Sequence, residues 1–136
     1  MVEARVVYEG QLHCSITHGP SGANIQTDAP KDNNGKGEAF SPTDLVGAAL
    51  ASCMLTIMGI YAQRQNIELK GASGRIVKEM VTTPERRIGK LTVELKLPAS
   101  VPQEHRAALE KAALACPVHK SLHPDVQKVV TFSYDA

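Results

Sequence analysis

An α+β fold is predicted for this chain of 136 residues, on three observations. Strand-like alternation comes in groups, over residues 2–28 and again over 67–97, and does not alternate singly with helices. Between the groups lies a run without any charge, Leu45 to Ala62, which follows a clear helix start. After them come two helical stretches divided by Cys116-Pro117, and one last strand. The order is βββ-α-ββ-αα-β. It is read as a single domain over 1–136, because no linker, repeat or low-complexity tract divides it.

The elements follow from local patterns. Residues 2–9 alternate as a strand, Gly10 turns the chain, and residues 11–18 alternate again with Leu12, Cys14 and Ile16 on one face. Gly19-Pro20-Ser21-Gly22 signals a turn before a third short strand at 23–28. The polar stretch Ala29 to Phe40 has no periodicity and is read as a long loop. Ser41-Pro42-Thr43-Asp44 then opens a helix: Ser41 suits the N-cap, Pro42 the first turn, and Asp44 the third helical position. Extended to Arg64, that helix is about 35 Å long.

Residues 67–83 read as a strand. Thr82 to Arg87 form the turn, and 88–97 return with Leu91, Val93, Leu95 and Leu97 on the apolar face. Pro98 ends that strand. Pro102 to Ala115 is an amphipathic helix. Cys116, placed before Pro117, is pushed out of helical geometry and caps a short helix to Leu122. Residues 126–134 are the last strand.

Composition narrows the function. Fifteen basic against fourteen acidic side chains, a net charge of +1, give no reason to expect nucleic acid or an anionic membrane as partner. Three Tyr, two Phe and no Trp leave little for base stacking. The run Leu45 to Ala62 is long enough to raise a membrane span, but its Ala, Gly, Ser52 and Thr56 equally suit a core helix apolar on every side. The strand pattern at Val2 to Tyr8 is not a secretory leader, so a cytoplasmic location is expected. In a reducing compartment, three cysteines suggest free thiols or a transient catalytic disulfide.

Two of the thiols stand out. Cys53 sits in mid-helix, where the helix terminus offers it little, and an ordinary thiol of pKa about 8.5 is only a few per cent ionised at neutral pH. Cys116 at a helix start would face free backbone N–H groups, with His119 three residues on as a candidate partner. Each thiol taken singly is also what a small buried hydrophobe looks like, and Cys14 is read as core. Cys116, His119 and His123 have metal-ligand side chains, but no second CxxC accompanies them, and no metal or cofactor is expected.

The run Phe40-Ser41-Pro42-Thr43-Asp44-Leu45-Val46-Gly47-Ala48-Ala49-Leu50-Ala51-Ser52-Cys53 resembles the signature of the OsmC/Ohr family, and so does Ala115-Cys116-Pro117-Val118-His119. His18 to Gly22 and Asp28-Ala29-Pro30 resemble its small-protein branch, and the element order agrees. The resemblance implies an OsmC-like fold: an intertwined homodimer whose long central helices are wrapped by sheets. It implies a thiol peroxidase for organic hydroperoxides. Cys53 would be peroxidatic, forming a sulfenic acid, and Cys116 resolving, with a dithiol or lipoyl-type reductant.

The chain departs from the pattern where the thiol is activated. Members of the hydroperoxide resistance branch carry an Arg in the N-terminal strands or loop and a Glu after the helix-starting Pro. Here Thr43 follows Pro42, and no Arg occurs between Arg5 and Arg64. Asp44 lies on the far side of the helix from Cys53 and about 13 Å along it, so its role is read as capping. The candidate substitutes are Arg86 and Arg87 in the strand turn, Lys31, Lys36 and Glu38 in the loop, and His13, His18 and His119. The departure keeps a second reading open: a non-catalytic protein holding a small hydrophobic or thiol-reactive ligand beside Cys53.

Overall fold

The structure, a computed structural model, describes all residues from Met1 to Ala136. It has the predicted α+β order and two compact units, Met1–Val46 and Gly47–Ala136.

The first unit is an antiparallel meander of β1 (Ala4–Tyr8), β2 (His13–His18) and β3 (Asn24–Asp28), in that spatial order. Val6, Ile16 and Ile25 lie opposite one another across the three strands. The second strand starts at His13 and not at residue 11. Gln11 and Leu12 both take left-handed backbone angles in the hairpin turn, closed by the His13 N–H to the Gly10 carbonyl at 3.1 Å. Leu12 therefore leaves the strand face that the alternation assigned to it. Cys14 is half-buried and stands outside the core, since Val6 and Ile25 on the same sheet are themselves exposed.

The loop after β3 contains one 3-10 turn, Lys31–Asn33, and leads to the start of α1 (Pro42–Arg64). That start is a reciprocal capping box: the Asp44 N–H donates to Ser41 Oγ at 3.0 Å, and the Ser41 N–H donates to Asp44 Oδ2 at 2.9 Å. The division between the units falls within this helix.

The second unit contains the rest of α1, then β4 (Ser73–Val81), β5 (Arg87–Lys96), α2 (Gln103–Leu114), α3 (Pro117–Ser121) and β6 (Gln127–Ser133). β5 is central, antiparallel to β4 and parallel to β6. The parallel pairing requires a crossover, which α2 and α3 provide. As the alternation predicts, Leu91, Val93, Leu95 and Leu97 are buried. With Leu50, Met54 and Met58 of α1 and Leu109 and Ala113 of α2 they form the core. At Gly47 the helix backbone comes so close to the sheet that a Cβ would meet Ile76 at 3.2 Å and Leu91 at 3.4 Å.

Residues 67–72 are not strand, although their pattern alternates. Gly71 has a φ of +94°, a left-handed conformation that glycine adopts without strain, and the Ala72 N–H closes a turn onto the Leu69 carbonyl at 3.0 Å. Ile67 and Leu69 are half-buried against the core from this turn, which accounts for the misleading pattern.

Candidate functional site

The site is built in the second unit from α1 and the start of α3. Cys116 is the N-cap of α3, in extended conformation (φ −65°, ψ 143°), with Pro117 in the first turn. Its sulfur accepts the His119 backbone N–H at 3.2 Å. The local reason is the Cys-Pro step: proline excludes helical geometry from the preceding residue and starts a new helix at the same point. Cys116 has no exposed surface and belongs to the core.

Cys53 reaches this point from α1. It is half-buried, between the fully buried Leu50 and Met54 and the exposed Ser52, Ala49 and Thr56. Its thiol is a direct side-chain neighbour of Cys116, and both thiols are free. Burial pushes the Cys116 thiol above its ordinary range. The backbone N–H groups of His119 and Val118 pull it down, and the Cys53 side chain raises it further. Two thiols from distant segments thus meet, one with a solvent-side edge and one enclosed.

The other candidates are placed as follows. The His119 imidazole is held below its ordinary range by burial and by the charge of Lys128, so it is neutral near pH 7. Lys128 escaped the sequence reading, since nothing local ties a β6 lysine to α3. Arg87 donates to the carbonyls of Ile88 and Asp125 at 3.2 and 3.4 Å, which ties the start of β5 to the segment before β6. Arg86 is exposed in the turn before β5. His123 accepts the Asp125 N–H at its Nδ1, outside α3.

Asp44 and Glu38 belong to the first unit. Asp44 serves the capping box. Glu38 is exposed, and its backbone N–H donates to Asp28 Oδ2 at 3.1 Å. Lys31 and Lys36 are exposed in the same loop. His18 Nδ1 lies 2.6 Å from Ser21 Oγ in the turn after β2. His13 Nδ1 lies 2.6 Å from Asp28 Oδ1. This pair lines a cleft of about 390 Å³ with Glu9, Gln26, Lys36 and Glu38. It too went unseen in the sequence, although β2 and β3 place His13 directly opposite Asp28.

Comparison with known proteins bears on this arrangement. The family model described as OsmC-like protein matches residues 35–130, a span that contains both Cys53 and Cys116. A crystal structure of a Psychrobacter arcticus protein, named for osmotic stress induction and detoxification response, is 42% identical. It superposes with a TM-score of 0.91 over 97% of this chain and 96% of that one. An organic hydroperoxide resistance protein OsmC from Legionella pneumophila is 20% identical with a TM-score of 0.77, covering 98% of this chain and 96% of that one. An OsmC-like protein from Mycoplasma pneumoniae, at 13% identity and a TM-score of 0.82, covers 100% and 98%. At those two lower identities the likeness is one of fold. No curated protein sequence matches significantly.

Proposed function

Since the chain belongs to the OsmC-like family, we propose that it serves stress defence by reducing organic hydroperoxides through Cys53 and Cys116. The observation that carries this reading is the meeting of the two free thiols, one on a long helix and one capping a short one, far apart in sequence. A solved structure named for organic hydroperoxide resistance has the same fold.

In the first step the Cys53 thiolate attacks the terminal oxygen of the hydroperoxide. The O–O bond breaks, the departing alkoxide takes a proton to become the alcohol, and Cys53 becomes a sulfenic acid. The Cys116 sulfur then attacks Cys53, the S–S bond forms, and water leaves. A dithiol of the lipoyl type supplies two electrons to restore the thiols. No metal or cofactor enters the scheme. The proposed assembly is a homodimer in the cytoplasm, without membrane or nucleic-acid partners. The homodimer is supported by the state of α1, of whose apolar stretch only 33% is buried within one chain.

The departure at Thr43 and the raised pKa of Cys116 favour the second reading, a binding protein with thiols of ordinary reactivity. The two separate in one measurement. Reduced protein treated with cumene hydroperoxide loses two thiols per chain if the peroxidase reading holds, none in Cys53→Ser, and still two in Cys14→Ser. Retention of all thiols under excess peroxide leaves the binding reading standing.

A further inference from the structure

Apart from the thiol pair, and sharing no residue with it, we infer that the first unit holds a site for a transition-metal dication of the zinc class, between the His13 imidazole and the Glu9 carboxylate. The hairpin register builds it. The Glu9 N–H donates to the His13 carbonyl at 2.9 Å across the β1–β2 turn. His13 stands opposite Asp28, and Gln26 lies two residues before Asp28 on the same face. Val6, Ile16 and Ile25 alternate to the other face of the sheet. The apolar face that a partner would cover is therefore not the face that carries the site.

The two nitrogens of His13 have different surroundings. Nδ1 lies 2.6 Å from Asp28 Oδ1, and Asp28 is buried, with its Oδ2 accepting the Glu38 N–H at 3.1 Å. A carboxylate engaged through both oxygens fixes the plane of the ring and keeps the proton on Nδ1. Carboxylates placed in this way stand behind most metal-bound histidines. The other nitrogen, Nε2, faces Glu9 Oε1 at 3.5 Å. That is long for an N–H···O hydrogen bond, whose range ends at about 3.2 Å. It suits two donors on one ion: bonds of about 2.0–2.2 Å at a tetrahedral angle set nitrogen and oxygen about 3.4 Å apart.

The surroundings select the ligand. The cleft has Ala39 as its one apolar side chain, so it offers an organic molecule little to pack against. Glu9, Asp28 and Glu38 face a single lysine, Lys36, which favours a cation. The imidazole favours a transition ion over magnesium or calcium. Asp28 and Glu9 stand at opposite nitrogens of the ring and cannot share the ion. The protein thus supplies two donors and solvent the others, which makes the site weak and exchangeable. Two effects oppose binding. Lys36 repels a dication, but it is exposed and screened by salt. A proton competes for Nε2, because the hydrogen bond to Asp28 raises the His13 pKa. That competition ends above the His13 pKa, so zinc uptake belongs to mildly alkaline solution.

The thiols also bind zinc, so the readout is taken at the ring itself. Nitrogen NMR of the histidine rings in the reduced full-length protein reads each one separately. In mildly alkaline solution, zinc chloride is expected to move the His13 Nε2 signal. It is expected to leave His123 in place, an exposed histidine whose Nδ1 lies 3.8 Å from Asp125 Oδ2. Magnesium chloride at equal concentration is expected to move neither. Glu9→Gln removes one donor, and Asp28→Asn removes the carboxylate behind the ring. Each is expected to raise the zinc concentration for half the shift about tenfold. Glu9 is half-exposed, so its variant decides the matter even if Asp28→Asn fails to fold. A His13 signal unmoved by zinc overturns the inference. So does one moved equally by magnesium, one matched by His123, or one with the same zinc dependence in Glu9→Gln.

Discussion

At Asp28 a single carboxylate performs two tasks. Oδ1 holds the His13 imidazole from the opposite strand, and Oδ2 accepts the Glu38 N–H from the loop. Glu9 Oε1 lies 3.5 Å from the other imidazole nitrogen. The hydrogen bond to Asp28 raises the His13 pKa, and the same bond lowers that of Asp28. The signs define a window. The raised His13 contributes stability that is complete below its unfolded pKa of about 6.5 and is lost as pH rises through the folded value. The depressed Asp28 contributes stability that is complete above its unfolded pKa of about 3.9 and is lost as pH falls through the folded value. The clasp is therefore tightest in mildly acid solution. An NMR titration of His13 is expected to give a pKa above the ordinary histidine value, falling back in Asp28→Asn. An unchanged titration in that variant would remove the pair from any role. Nothing in the residues around His13 or Asp28 announces the pair, because it depends on the register that the hairpin turns impose.

At the scale of elements, α1 was the most legible part of the chain. Ser41, Pro42 and Asp44 are local signals, and they act locally in the structure. Ser41→Ala is expected to cost about 1 kcal/mol, through loss of the bond from the Asp44 N–H, and Ser41→Asn much less. A denaturant titration checks this, and equal midpoints for wild type and Ser41→Ala would contradict it. β5 was legible for a related reason: one strand buried on one face writes its alternation directly into Leu91, Val93 and Leu95, and Leu97 continues it one residue beyond the strand. The turn at 67–72 was not, because Ile67 and Leu69 reach the core from a non-strand backbone. Apolar alternation reports burial and only indirectly the conformation that achieves it.

At the scale of the whole molecule, α1 presents apolar surface that one chain does not cover, including Ile60 at 42% exposure. Val6, Tyr8 and Ile25 on the first sheet are similarly uncovered. The proposed homodimer predicts a solution mass of twice the 14.6 kDa chain, with Ile60→Glu shifting the population toward the single-chain mass. Light scattering at low micromolar concentration decides the matter, and a wild-type mass of one chain would refute the dimer. By itself the sequence determined the element order, the start of the central helix, the buried face of β5 and the two cysteine motifs, since each is set by neighbours along the chain. The resemblance of the two motifs already implied that Cys53 pairs with Cys116; tertiary structure alone decided that Cys116 is the enclosed partner and that His13 faces Asp28. Those relations depend on crossover, register and packing depth, which bring together residues whose local surroundings carry no mark of one another.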